Sequence, residues 1–406
     1  MVDNSEAMIE RPISLAQRII FNLFSKIQYG KITVYDSGRY SVFSGTEALT
    51  THAVTVRVNN PKIYRTVLLG GSIGAGKSYM DGDWEVDDLT KLIEIFIQNT
   101  SLFKQIESPT AKIINFLYRF AAKFRPNNPT WAKKNILSHY DLSNEFFQIF
   151  LDPTMMYSCA IYEPGNITQE EASRQKLATI CNQLRIKSSD HILEIGTGWG
   201  GFALFAAREY GCKVTTTTIS DKQYQYVKNL IQQSGLSDRI ELLNLDYRKL
   251  TGQYDKLVSI EMIEAVGHRY FDTFFKQCNH LVKSGGLFFL QAITINDQSY
   301  QSARKEIDFI KKYIFPGGCL PSIHSISQSI TSQTQMQLIH LRDIGKHYVT
   351  TLNDWQHKFV AQMTAIKQQG FSEKFIRMWV FYFSYCAAGF DSGYISTIHA
   401  LWQKRS

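Results

Sequence analysis

The stretch "HILEIGTGWGGFA", His191 to Ala203, is an apolar run that ends in glycines spaced G-x-G-x-G and opens a helical segment. It constrains the fold more than any other feature. Glycine permits a tight turn and lets a ligand approach the main chain closely. Around it apolar runs alternate with helical segments: 191–195, 213–219, 240–245, 256–260 and 286–293. This alternation predicts an α/β fold with a doubly wound, mostly parallel sheet.

A dinucleotide site would show G-x-G-x-x-G and an acid ending the second strand. Here Gly196, Gly198 and Gly200 are preceded by Glu194, Thr197 lies between the first two, and Thr218 ends the second strand. The spacing resembles the S-adenosylmethionine (SAM) loop of class I methyltransferases. A purely structural turn would use the same glycines.

The first hundred residues have a different grammar. Residues 13–28 read as an amphipathic helix begun by Pro12, facing either a core or a membrane surface. Residues 31–35, 40–43 and 54–58 alternate as short strands. Asn59-Asn60-Pro61 reads as a turn and Ile63 to Leu69 as a returning strand, so an antiparallel meander is expected. Leu89 to Gln98 and Ala111 to Arg125 read as helices. Pro126 and Pro129 mark a linker, which divides the chain into a smaller α+β, strand-rich domain at 1–125 and a larger one at 126–406.

Within the first domain, "GSIGAGKS", Gly71 to Ser78, matches G-x-x-x-x-G-K-[ST]. A phosphate loop needs a helix directly after it. The segment 79–88 instead holds Gly82 and the acids Asp81, Asp83, Glu85, Asp87 and Asp88, which would repel a phosphate. An acid able to hold a metal, Glu261, lies in the other domain. The glycines are read as turns in a strand-rich domain, and nucleotide hydrolysis is set aside.

The net charge of +8, with no run of Lys and Arg, suits an anionic membrane surface rather than nucleic acid. The six cysteines form no C-x-x-C pair, so neither zinc nor a disulfide framework is expected, and a reducing cytoplasm fits. Asp3, Glu6 and Glu10 stand where a secretory signal would be basic. The longest apolar stretch, Met378 to Phe390, falls short of the roughly 20 residues that span a bilayer. Aromatic residues reach 13%, which suits large aromatic cores, an apolar pocket or a lipid-facing surface.

Four longer stretches occur in order: "HYDLSNEFFQIFLDPTMMYSCAIY" (139–162), "SIEMIEAVGHRYFDTFF" (259–275), "YIFPGGCLPS" (313–322) and "HYVTTLNDW" (347–355). Together they resemble the cyclopropane-fatty-acyl-phospholipid synthase family, over residues 130 to 406 strongly and over the first 120 weakly. The resemblance implies a Rossmann-like SAM-methyltransferase sheet with helical insertions. It implies a peripheral enzyme on the inner face of the membrane, compatible with a homodimer. The implied reaction places a methyl group from SAM on a cis double bond of a phospholipid acyl chain. A carbocation forms, and loss of a proton closes a cyclopropane ring. A bound bicarbonate serves as the base.

Residue by residue, the resemblance assigns Glu264 to holding the bicarbonate, with the backbone N–H groups of Cys159 and Ile293 and the Tyr348 hydroxyl beside it. Cys386 matches a cysteine often labelled catalytic, although a cation mechanism needs no thiolate and a buried structural role serves equally. Gln291 stands where many members have histidine, which changes the tuning of the base and leaves a methyl or methylene branch open as product. Tyr157, Ser158, Glu194, Gly196, Thr197, Gly198, Gly200, Thr218, Ile219, Gln223, Asp246 and Tyr247 match the SAM positions. No metal is implied.

Overall fold

The computed structural model describes residues 13–46, 52–104, 142–163 and 167–405. The described residues form two compact units. One holds those up to Lys104 together with Phe371–Ala388; the other holds 142 to Gly370 and Gly389 onward.

In the first unit, strands β1 (Lys31–Asp36) and β2 (Arg39–Ser44) form an antiparallel hairpin. Its turn residues Ser37 and Gly38 both have positive φ, 49° and 82°, as a two-residue hairpin that matches the strand twist requires. Strand β3 (Ala53–Val58) runs parallel to β1, and β4 (Trp84–Val86) antiparallel to β3, giving the order β2-β1-β3-β4. Alternation buries Ile32, Val34, Val54 and Val56 on one face.

The antiparallel meander expected from the sequence does not form, and Ile63 to Leu69 is not a strand. Lys62–Met80 is a helix instead. The Asn60 Oδ1 atom accepts the Lys62 N–H at 3.1 Å at its start. Ile63, Tyr64, Val67 and Leu68 are buried or half-buried at helical spacing. A short apolar run bounded by turn residues does not by itself reveal its period. The expected glycine turns are also corrected. Gly71 to Ser78 lies inside this helix, kinked at Gly71 with φ 53°. Its backbone N–H groups belong to a helix interior rather than to an anion cradle. The Lys77 ammonium pairs with Asp81 at 2.5 Å, and the Ser78 hydroxyl accepts the Trp84 indole N–H at 3.0 Å.

The helices Leu15–Phe24 and Leu89–Gln98 form where the sequence places them. The segment 111–125, the linker at 126–129 and the division between 125 and 126 lie outside the described residues. The segment Phe371–Ala388 packs within the first unit: Arg377 lies 4.2 Å over the Tyr79 ring and donates to the Trp84 carbonyl at 2.8 Å.

The second unit carries a seven-stranded sheet. Strands β5 (His191–Ile195), β6 (Lys213–Thr218), β7 (Ile240–Asn244), β8 (Tyr254–Ile260) and β9 (Val282–Ile295) are parallel, as expected. Two further strands extend it beyond β9: β11 (Ile395–Lys404) runs antiparallel to β9, and β10 (Met336–Asp343) antiparallel to β11. The order is β10-β11-β9-β8-β5-β6-β7. Helices cover both faces, so the strands bury apolar side chains on both. Along β9, Phe288 joins the core with Leu193 and Phe274, while Phe289 joins the opposite one with Ile192 and Phe202. The chain order reverses at the β5–β8 pair, which opens a crevice at the carboxyl ends of those strands. Among the described residues no helix is long and apolar enough to cross a membrane.

Candidate active site

The loop after β5 turns at Gly196, Gly198 and Gly200, with φ of 99°, 52° and 88°. The N–H groups of Gly196 and Thr197 bond the Thr217 carbonyl of β6 at 3.2 and 2.9 Å, which fixes the loop against the neighbouring strand. The loop forms one wall of a cavity. Tyr157 and Ser158 form another; Thr218, Ile219 and Gln223 come after β6 or at its end, Asp246 and Tyr247 after β7, and Glu261 and Met262 after β8. Gly200 is not among the lining residues. It precedes helix Gly201–Tyr210, and a Cβ there would lie 3.2 Å from Val227, so it serves helix packing.

The cavity residues suit a ligand bearing both charged and hydroxyl groups. The Thr197 hydroxyl and the Tyr247 phenol are buried there without a partner. Such orphans in a native fold call for a ligand or water. Asp246 presents a carboxylate oriented by Arg248 at 2.8 and 2.6 Å. Burial pushes that carboxyl up, but the bonds from Arg248 outweigh it and hold the group below its usual range. Glu194 accepts the Thr216 hydroxyl at 2.6 Å, and burial raises its carboxyl to about 8. These groups are of the kinds that hold the charged and hydroxyl parts of such a ligand.

Beside this cavity lies a cluster built on two half-buried glutamates. Glu261 directly succeeds β8 with φ 49°, unusual for a residue other than glycine. Its Oε1 accepts the Cys159 N–H at 2.9 Å and the Gln291 side-chain amide at 2.7 Å, and its Oε2 accepts the Tyr348 hydroxyl at 2.7 Å. Burial pushes its carboxyl up. Those three donors and the charge of Lys176 oppose the shift. The Gln291 amide oxygen faces His399 Nε2 at 2.9 Å, which leaves its NH2 to donate to Glu261 and to the Cys159 carbonyl. Lys176 is fully buried and donates to Ser158 at 2.6 Å; burial lowers its pKa to about 8.

Glu264 is the second glutamate. Its Oε1 accepts the Ile293 N–H at 2.5 Å, and its Oε2 is buried without a partner. Burial, and then the charge of Glu261, raise this carboxyl to about 8, so it is protonated at neutral pH. The Cys159 thiol is fully buried, and burial raises it far above the ordinary range. Cys159 thus enters through its backbone.

The structure therefore gathers Glu264, Ile293, Cys159, Gln291 and Tyr348, as the resemblance implies. The donors of the last three end on Glu261. Cys386 is half-buried and belongs to Phe371–Ala388 of the first unit. Sequence reasoning missed Glu261, Lys176 and His399. For Glu261 one signal was present: an acid directly after a strand, at the end where ligands bind in such sheets. Nothing local marks Lys176 or His399 as buried.

Residues 127–400 match the family model described as mycolic acid cyclopropane synthetase. The chain is 35% identical to the cyclopropane-fatty-acyl-phospholipid synthase of Escherichia coli, over 86% of each chain. It is 34% identical to the tuberculostearic acid methyltransferase of Mycobacterium tuberculosis, over 88% of this chain and 84% of that one. Among solved structures it resembles the mycolic acid cyclopropane synthase CmaA1 complexed with SAH and CTAB, with a TM-score of 0.62 and 31% identity, over 67% of this chain and 98% of that one. With its parallel sheet, glycine loop and paired glutamates, the chain belongs to the mycolic acid cyclopropane synthetase family of SAM-dependent methyltransferases.

Proposed function

We propose that this enzyme adds a one-carbon unit from SAM to the cis double bond of unsaturated acyl chains in membrane phospholipids, giving cyclopropane fatty acids. The observation that carries this reading is the direct adjacency of the SAM cavity to a half-buried carboxylate cluster. Glu261 belongs to both. When bound, SAM supplies an electrophilic methyl group, strong enough for an alkene held in line with it.

The protein's own residues do the rest. Tyr157 lines the cavity and packs against Trp355 at 5.1 Å and Phe147 at 5.3 Å, an aromatic wall that excludes water. Such ring faces stabilise positive charge on carbon. The polar groups at the carboxylate cluster hold a base within that apolar shell.

A second reading is a methyl or methylene branch. Gln291 in place of histidine supports it, as does the similarity to a methyltransferase named for tuberculostearic acid. Mass spectrometry of phospholipids incubated with SAM bearing a deuterated methyl group separates the two. A ring retains two deuterons and resists mild hydrogenation. A methylene retains two but takes up hydrogen, and a methyl branch retains three. Unmodified acyl chains would remove both readings.

The enzyme works on its substrate from a membrane surface, without a spanning helix among the described residues. The exposed cations Arg18 and Lys26 of the first unit support docking on anionic lipid. Lys112, Arg119 and Lys123 lie outside the described residues. Sedimentation with anionic liposomes should fall as salt rises, because exposed charges are screened within about 10 Å at 0.1 M. Binding that ignores both salt and anionic lipid would count against such docking. A homodimer is compatible with this reading.

A further inference from the structure

We propose that the Glu261 carboxylate is the built-in proton acceptor of this site and replaces the bicarbonate that the family resemblance implies. The inference rests on the proposed lipid chemistry and names the group that takes its proton.

The resemblance assigns a bound anion to Glu264, the N–H groups of Cys159 and Ile293, residue 291 and the Tyr348 hydroxyl. The Ile293 N–H donates to Glu264 at 2.5 Å, and the donors of Cys159, Gln291 and Tyr348 go to Glu261, at 2.9, 2.7 and 2.7 Å. A bicarbonate in the same place would compete with this carboxylate for the same donors, and two like charges would share one buried site. The backbone is consistent with a selected residue. A left-handed conformation is disfavoured for a residue with a Cβ, yet Glu261 adopts it at φ 49°. That strain aims the carboxylate at the donors and at the cavity it lines. Strain of this kind persists where surrounding structure holds it in place.

Charge and lone pairs agree. Burial raises the Glu261 carboxyl, and against it three donors and the buried Lys176 favour the ionised form. A carboxylate offers about four lone-pair positions. Two donors use Oε1 and one uses Oε2, which leaves a position on Oε2 for a proton. The neighbouring Glu264 stays neutral, so the pair divides into one base and one acid.

Atoms and electrons balance in this step. Once the added carbon is bonded to one alkene carbon, the other carries the positive charge. One C–H bond of the added carbon breaks, and its electron pair forms the closing C–C bond. The proton passes to Glu261 Oε2, which becomes a neutral carboxylic acid. Removing a positioned base of this kind costs about 10²–10⁴-fold in rate.

Two measurements test this on the full-length protein with SAH or SAM bound. The first is binding of ¹³C-labelled bicarbonate by NMR, which needs no turnover. Wild type should show no saturable binding at the site. Glu261→Gly, which relieves the left-handed backbone and opens the donors, should bind it. The second is lipid product formation in bicarbonate-depleted buffer. Wild type should keep its rate. Glu261→Gln, which keeps the shape but not the base, should lose at least about a hundredfold. It should still bind SAM by calorimetry and melt as wild type does. Glu261→Gly should lose a similar factor and recover at least about tenfold with added bicarbonate. Saturable bicarbonate binding by wild type, loss of its activity on depletion, or a wild-type rate in Glu261→Gln would each overturn the proposal. If no lipid product forms with any variant, the proposed function fails while the binding measurement still decides the place of Glu261.

Discussion

Gly196→Ala should bind SAM at least about tenfold more weakly than wild type in isothermal titration calorimetry. Gly196 has φ 99°, a conformation that side chains with a Cβ rarely adopt. A Cβ there would lie 3.0 Å from the Met262 side chain, and Met262 lines the same cavity. Either the loop relaxes from its bond to the Thr217 carbonyl, or Met262 moves into the ligand's space. Each displaces groups that hold SAM, and about 1.4 kcal/mol of lost binding is already tenfold. Gly211→Ala is the control. Gly211 also has positive φ, 67°, but an added Cβ would meet nothing closer than Ser188 at 3.6 Å, and it is not among the cavity residues. That variant should lose stability and keep SAM affinity. Equal affinities for Gly196→Ala and wild type would remove the loop from the binding site.

Glu264→Ala should lose about a hundredfold in lipid modification, whereas Glu264→Gln should lose less than about tenfold. Alanine leaves the buried Ile293 N–H without its acceptor, which costs about 1–3 kcal/mol and loosens β9 beside Gln291. Loss of one preorganised polar contact at such a site commonly amounts to about a hundredfold in rate. Glutamine keeps an oxygen for Ile293 and resembles the neutral acid that burial and Glu261 impose at neutral pH. A wild-type rate in Glu264→Ala would make this glutamate incidental to the chemistry.

The same shift has a consequence for stability. The folded pKa of Glu264 is raised to about 8, so the folded state holds a proton that the unfolded chain has already released. Glu194 is raised to about 8 in the same way. Their contribution is fully present below the ordinary carboxyl range and is lost as pH rises through about 8. Buried His399, lowered to about 3, acts in the opposite sense, but only below the ordinary histidine range. Glu261, whose carboxyl burial also raises, acts in the same direction as these two glutamates. The urea midpoint of wild type should fall between about pH 6.5 and 8, and Glu264→Gln should remove part of the slope. An unchanged slope in Glu264→Gln would show that this carboxyl is ionised in the folded protein.

The sequence by itself determined the parallel core of the catalytic unit. Most of its strands are apolar runs because both faces are buried, with the threonines of β6 the exception, and helical segments of ordinary length separate them. The glycine loop at 196–200 was legible because a turn with three positive φ angles admits few other residues. The residues at 159, 264, 291, 293 and 348 were legible only through the resemblance, since no local pattern links positions so far apart. Where apolar patterning carried no period, the sequence misled: residues 63–69 read as a strand but fold as a helix. The antiparallel strands β10 and β11 were missed because β10 is largely exposed and β11 comes soon after a long apolar helix.

Only the tertiary structure decided what sits at the centre of the candidate site. Glu261 read as one acid after a strand. Its φ of 49° brings its carboxylate among donors from three distant segments, those of Cys159, Gln291 and Tyr348. Nothing in the sequence singled out Lys176, and folding buries it beside Ser158. Burial and the convergence of partners set the protonation of both groups. Neither is a property of the residue or its neighbours in the chain, so neither could be read before the chain was folded.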